Sequence, residues 1–398
     1  VGLYGVWLGR KEAPRVMPAL VLGAFGLALG LASYLTLLEV ESCRTCLVWG
    51  DFDDFGGLLD HFLRRDYGTF QLSGKGEGTG ALEHWFLLAK SLLLDFAVIP
   101  VLLAAWGVKM MGENLDRGSF YAWVAAFFIS GPLFVSVFDL KPTGALLEIV
   151  RRFHALPALF VAIALAFGLQ QVFSRYKLAR RDQVLLGAGL LLMLVLANGS
   201  RIASHHNSVV EEFGEDVVSI VPDGCVLFGS GDAKFLSVQL ALATSEPARD
   251  IDFINPNLLR FAWYRERVAP LLGAAPDTLD GITSRELMDL ALEKRGRVYW
   301  MNAPAEVVGE VAGQPLGPLL LFEQHAPPGC QTLLAHQTDV MARLKLSPPT
   351  RDASMSAWSL SAYDDYIRAW ILIARACERE GDEDGVVRAR GAAEEIYR

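Results

Sequence analysis

Charge is scarce in this sequence. Only 20% of its 398 residues are Asp, Glu, Lys or Arg, while 52% are hydrophobic. A soluble chain of this length carries about a quarter charged residues. A purely soluble protein is thereby excluded, and membrane spans are expected. Clustered basic charge is missing where a nucleic-acid surface would need it. Residues 199–398 hold 19 Lys and Arg against 29 Asp and Glu, an excess of ten negative charges, whereas phosphate neutralisation requires the opposite sign. Cysteine is nearly absent, with Cys43, Cys46, Cys225, Cys330 and Cys377 only. No second ligand pair with zinc spacing follows the C-x-x-C of Cys43 and Cys46, so no metal is expected. Phosphate-binding loops are absent as well. "KGEGTG" at 75–80 lacks the G-K-[ST] ending and reads as a tether. No short apolar stretch with a small-residue cleavage site precedes the first apolar run, which argues against a signal peptide. The chain opens on Val1, and "VGLYGVWLGRK" reads as the last turns of an apolar helix, so the sequence is expected to begin inside a longer protein.

What the sequence does hold is five apolar runs before about residue 198: 16–38, 85–108, 120–138, 157–173 and 184–196. A crossing needs roughly 20 apolar residues, so the last two are expected to extend into their flanks. Basic residues concentrate in the loops holding Arg10, Lys11, Arg15, Lys109, Arg117, Arg175, Lys177, Arg180 and Arg181. Their density assigns those loops to the cytoplasm. The loops at 41–83 and 139–156, and everything after the fifth run, then face outward. Lys90 and Asp95 lie within the second run, where charge is costly and turns toward the bundle, a wet cavity or the interface.

The first outward loop, "CLVWGDFDDFGGLLDHFLRRDYGTF", is charged around an apolar repeat. Phe55, Leu58, Leu59, Phe62 and Leu63 recur at helical spacing, with Asp60, His61, Arg64 and Arg65 on the other faces. This predicts a short helix lying in the membrane interface, with Asp60 and Arg64 four residues apart and able to pair. The second outward loop, "LKPTGALLEIVRRFHALP", brings Arg151, Arg152 and His154 to the same level. Guanidinium groups bind two phosphate oxygens at once. Arg64, Arg65, Arg151, Arg152 and His154 are therefore candidates to hold a lipid-linked phosphate, and ordinary anionic headgroups are the competing ligand. Asp51, Asp54 and Asp66 are weak candidates for a carboxylate base. Outside the cytoplasm, Cys43 and Cys46 are expected as a short-range disulfide. Of Cys225, Cys330 and Cys377, one pair is expected to join and one thiol to remain.

After the fifth run, helices and strands alternate. "VVEEFGEDVVSIVPDG" reads as a helix and turn, and "CVLFG", "DIDFIN", "RVYWM" and "PLLLFEQ" read as strands. "AKFLSVQLALATSE", "NLLRFAWYRERVAPLL" and "SRELMDLALEKR" read as helices. "GSGDAK" has Lys234 at the third glycine position of a dinucleotide fingerprint, which argues against nucleotide binding. Asp232 is expected to cap the following helix and is a candidate for an acceptor cleft at the strand end. The expected fold is a polytopic α-helical membrane domain over 1–198 with about five spans, then a small outward-facing α/β domain over 199–345. A C-terminal helical hairpin follows over 346–398, at about Ala357–Glu380 and Gly385–Tyr397. One repeat-like hairpin cannot bury its own apolar face, so it must pack on the α/β domain or continue beyond Arg398.

Five segments, in order, carry a family resemblance: "VWGDFDDFGGLLDHFLRRDYG", "SGPLFVSVFDL", "RRFHALP", "VPDGCVLFGSGDAKFLSVQLA" and "FAWYRERV". Together they resemble the bacterial multi-pass membrane family related to the animal endoplasmic-reticulum protein O-mannosyltransferase with the GT-C architecture. The resemblance covers most of residues 1–300. It implies a glycosyltransferase that uses a polyprenyl-phosphate sugar, needs no further cofactor, and modifies a protein or glycan acceptor at the outer side of a bacterial inner membrane, with the C-terminal domain periplasmic or extracellular. Membrane lipid is an implied partner. The family's acidic residue lies in a first outward loop that would precede Val1, so the base is expected to be missing here. The "SCRTC" segment departs from the family. The alternative is a non-enzymatic, membrane-anchored binding or scaffold protein. A transporter ranks last, because Lys90 and Asp95 share one helix.

Overall fold

The computed structural model describes residues 21, 24–26, 28–30, 32–42, 50, 52, 54–63, 65, 80–137, 141–205, 207–310, 313–346 and 355–397. The chain divides into two compact units, one of Val1–Glu39 with Asp53–Ala203, the other of Val40–Phe52 with Ser204–Arg398.

The first unit is helical. An apolar helix over Ala24–Leu38 tightens into 3₁₀ geometry at Ser33–Ser42. Helix α1 (Phe55–Phe62) is the short helix predicted from the apolar spacing. Helices α2 (Ala81–Phe96) and α3 (Val98–Asn114) occupy the second apolar run, but they meet at an angle of 109° rather than continuing straight. Pro100 explains the break, since its ring would collide with the carbonyl four residues earlier, at Phe96. The chain turns at Ala97, which takes a positive φ of 61°. Helix α4 (Arg117–Phe128) is capped by the Asp116 carboxylate, which accepts the N–H groups of Gly118 and Ser119 at 3.0 Å each. The helix then widens into a π-turn at Ile129–Leu133, where Pro132 again lacks an N–H. Helix α5 (Gly144–Arg152) leads into α6 (Ala155–Arg175) and α7 (Arg180–His205).

Among the described residues, α6 and α7 are long and apolar enough to cross a membrane, and the bent α2–α3 pair makes a third if it is one span. Both extend beyond the apolar runs that announced them, into flanks carrying Arg175 and Arg180. The expected first run lies partly outside the described residues, as does the end of the third at Phe138. Helices α3 and α6 approach through glycine. A Cβ at Gly107 would stand 1.7 Å from the Ala164 carbonyl oxygen, and one at Gly168 would stand 2.1 Å from that of Leu103. Small residues at such a contact let backbones pack where no hydrophobic effect drives them together.

The second unit is a sheet layered with helices. It runs α8 (Val209–Ile220), β1 (Cys225–Phe228), α9 (Asp232–Thr244), β2 (Ile251–Ile254), α10 (Ala262–Leu272), α11 (Ser284–Arg295) and β3 (Arg297–Met301). There follow α12 (Ala305–Glu310), β4 (Gln314–Leu316), β5 (Leu319–Glu323), α13 (Cys330–Met341), α14 (Ala357–Glu380) and α15 (Glu383–Tyr397). The strand order is β2-β1-β3-β5-β4, with β1 parallel to both β2 and β3, and β5 antiparallel to β3 and β4. The run "CVLF" is buried throughout, as a central parallel strand covered on both faces must be. The hairpin α14–α15 buries Tyr366, Trp370, Ile373, Ala389 and Ile396 in the same core as Leu227 and Tyr299. Cys330 and Cys377 form a disulfide that ties α13 to α14, and Cys225 is a buried free thiol.

Candidate functional site

Asp54 is the N-cap of α1, accepting the Gly57 N–H at 2.8 Å, so one of the three candidate carboxylates already has a structural task. Asp51 and Asp66 lie outside the described residues, together with Arg64, Cys43 and Cys46. Asp60 accepts from Arg65 at 2.6 Å, five residues on, because Arg65 lies past the end of α1 where helical spacing no longer sets the geometry. Both side chains are about half exposed, so in water the pair is worth under about 1 kcal/mol and leaves Arg65 free to exchange partners.

Arg151 and Arg152 end α5, where they suit the negative end of its dipole. Arg152 is exposed, and Arg151 leans toward Glu148 at 3.7 Å. His154 is buried at the start of α6, within electrostatic reach of Asp95, Arg151 and His84. The structure thus brings one member of the second loop toward Asp95, a connection that spacing alone does not give. Asp95 sits at the α2–α3 break and forms an ion pair with Arg201 of α7. Its backbone carbonyl, left free by the break, accepts the Asn198 amide at 2.9 Å. Lys90 is exposed. Nearby in sequence to the resemblance segment "SGPLF", the π-turn is pinned by Trp85, whose Nε1–H donates to the Pro132 carbonyl at 2.9 Å and to the Ser136 hydroxyl at 2.7 Å.

The second unit offers a cleft of about 390 Å³ beyond the carboxyl ends of its parallel strands. The chain leaves β1 toward β2 on one side and returns to β3 on the other, so the crevice between β1 and β3 is the switch point where open α/β sheets bind ligands. Ser230 follows β1, Asn257 follows β2, Trp300 lies near the end of β3 and Asn302 just after it, Ser284 opens α11, and Arg368 reaches in from α14. Asn302 adopts φ 57°, a left-handed turn that asparagine tolerates better than most residues. Its Oδ1 accepts from Arg368 at 3.1 Å, and the second arm of the guanidinium donates to the Ala303 carbonyl. Asn255 holds the β2 end, its Oδ1 accepting the Asn257 N–H at 3.0 Å and its own N–H donating to the Tyr264 hydroxyl at 2.8 Å. Burial pushes the Tyr264 phenol up to about 12, which keeps it neutral.

Asp232 does not reach this cleft. It is the first residue of α9, exposed, while Gly231 with φ 92° is the cap, and no side-chain cap bond forms. The expected Asp232 cap is therefore corrected, because the turn needs the glycine at the cap position itself. The residue set aside as a mismatched third glycine, Lys234, is buried and pairs with Asp365 at 2.8 Å. Burial raises the Asp365 carboxyl even against that ammonium. Arg368 and Asn302 escaped the sequence reading. The available signal was a polar residue directly after the strand "RVYWM", while Arg368 had none because its helix reaches the cleft only through tertiary packing.

No family model matches the chain, and no solved structure matches it. It is similar to the protein O-mannosyl-transferase tmem260 of Dictyostelium discoideum, 23% identical over 308 residues, covering 67% of this chain and 37% of that protein. It is likewise similar to the protein O-mannosyl-transferase TMEM260 of Mus musculus, 23% identical over 282 residues, covering 65% and 38%. The chain spans less than two-fifths of the length of these curated relatives. A membrane location and a distant relation to these glycosyltransferases follow from the apolar helices and the matches together.

Proposed function

We propose that this chain is part of an integral-membrane glycosyltransferase that moves a sugar from a polyprenyl-phosphate donor to an acceptor on the outer face of a bacterial inner membrane. The observation that carries the reading is the extent of the similarity, about two-thirds of the chain, which is longer than either unit and so includes parts of both. A GT-C architecture and a periplasmic second unit belong to this reading, the latter supported by the asymmetry of basic loops. The acceptor hydroxyl attacks the anomeric carbon and gives its proton to a carboxylate. The bond from that carbon to the phosphate oxygen breaks, and polyprenyl phosphate leaves with the electron pair. Arg64, Arg65, Arg151 and Arg152 hold the phosphate through charge-assisted bonds, with His154 beside Arg151. Asp51 and Asp66 are the open choices for the carboxylate within this chain, since Asp54 caps α1. The names of the relatives make mannose the first sugar to try and a protein hydroxyl the first acceptor.

The test is transfer from polyprenyl-phosphate mannose by the whole protein in vesicles. Replacing Arg64, Arg65 and Arg152 together by Ala is expected to lower donor consumption at least tenfold at equal membrane level, and unchanged consumption removes the phosphate assignment. A second reading, a membrane-anchored binding or scaffold protein, draws on the core and cleft that the second unit has of its own. It predicts that no lipid-linked sugar is consumed under any of these conditions.

A further inference from the structure

We infer that the cleft of the second unit is a binding site for a small hydroxylated anion, a sugar bearing a carboxylate or a phosphate, anchored by Arg368. The inference stands apart from the transferase reading, because the cleft lies wholly in the second unit and its test reads binding.

Charge selects the anion. Residues 199–398 hold 29 Asp and Glu, yet none of the described ones lines this cleft. The two cations nearby are in different states. Lys234 forms an ion pair with Asp365, whereas Arg368 forms none among the described residues and acts on that carboxylate only at longer range. Its bonds to Asn302 Oδ1 and the Ala303 carbonyl involve neutral acceptors that fix the guanidinium without cancelling its charge. A guanidinium has five N–H donors, so this anchoring leaves donors for an oxyanion.

The rest of the lining selects hydroxyl groups. The side chains of Ser230, Asn257 and Ser284 have no intramolecular hydrogen bond among the described residues, and they offer donors and acceptors to a polyol. Pro256, Pro304 and Ala305 provide the apolar part of the wall against which the C–H face of a sugar ring packs. The volume suits one or two rings rather than a polymer.

Calorimetric titration of the intact chain in detergent with D-glucuronate, D-glucose 6-phosphate, inorganic phosphate and D-glucose tests this. One charged sugar is expected to bind at least tenfold more tightly than glucose and than phosphate alone, and the better of the two charged sugars identifies the oxyanion. Arg368→Ala is expected to weaken that binding at least tenfold, with partial recovery in Arg368→Lys. Asn257→Trp, a change at an exposed rim position that leaves the Arg368 contacts intact, should block the cleft to the same extent. Equal binding of glucose and the charged sugars, no binding of any of them, or wild-type affinity in both Arg368→Ala and Asn257→Trp would overturn the assignment. Phosphate alone binding as tightly as glucose 6-phosphate removes the sugar from it.

Discussion

Leucine is used in opposite ways in the two units. Leu192 and Leu196 of α7 are 58% and 72% exposed, whereas Leu227 of β1 is fully buried and Leu287 of α11 nearly so. The difference separates two solvents. In the sheet unit, removing apolar side chains from water holds the core together. In the helical unit, lipid is as apolar as leucine, so cohesion must come from close backbone approach and from polar groups paired inside. Gly107 and Gly168 supply the first, and Asp95 with Arg201 and Asn198, a partly exposed polar cluster, joins the α2–α3 break to α7.

The sharpest way to break this comparison is Gly168→Leu. The new side chain must occupy the place of the Leu103 carbonyl, so α3 and α6 separate. A loss on the order of 3 kcal/mol or more is expected, read as a fall in folded, monodisperse protein in detergent. A wild-type melting profile would show that the glycine contact does not hold the helices. Next comes Lys234→Met, which leaves Asp365 buried without its ammonium. About 3–5 kcal/mol is expected, with much of it restored in the double variant Lys234→Met, Asp365→Leu. No restoration would mean that the pair is more than a mutual neutralisation.

Arg201→Ala, by comparison, strips the partner from Asp95 at the α2–α3 break. About 1 kcal/mol is expected for a pair this exposed, and Asp95→Asn in the same background should recover part of it, as judged by thermal melts. Breaking the Cys330–Cys377 bridge by Cys377→Ala bears only on the sheet unit. Its melt should become sensitive while helical signal from the first unit persists, and a uniform loss of all helical signal would contradict two separately held units.

The smallest effect is on pH dependence. Burial raises the carboxyl of Asp216, against the lowering effect of the Lys345 and Leu346 N–H groups and the Tyr366 hydroxyl. The folded chain therefore holds this proton more tightly than the unfolded chain, whose value is 3.8. The contribution to stability is complete below that pH and fades as pH rises through the folded value. Asp216→Asn should flatten this slope in melts taken between pH 3 and 7, and an unaltered slope would assign it elsewhere.

Much of the fold is legible in local pattern. Strands β1, β2, β3 and β5 and helices α8, α9, α11 and α14 follow from apolar runs and periodicity, because each buries a face that its own residues define. What escapes is set by other rules. Strand β4 is only Gln314–Leu316, and exists through its pairing with β5 across Gly317. Helix α13 is amphipathic but weakly so, and it is fixed by the disulfide and by Gln337, whose amide reads both backbone groups of Gly317 at 2.7 and 3.0 Å. The α2–α3 break was visible in Pro100 but masked by the continuous apolar run. The candidate site was less legible, since Arg368 and Trp300 are 68 residues apart and meet only when α14 packs near the sheet.

The most direct measurement of the transferase account is photolabelling of the intact protein in vesicles with a photoreactive polyprenyl phosphate, followed by peptide mapping. Label that saturates, is competed away by unlabelled lipid, and maps to residues 51–66 and 144–154 is the expected result. Label that does not saturate, or that falls on the sheet unit alone, contradicts the account.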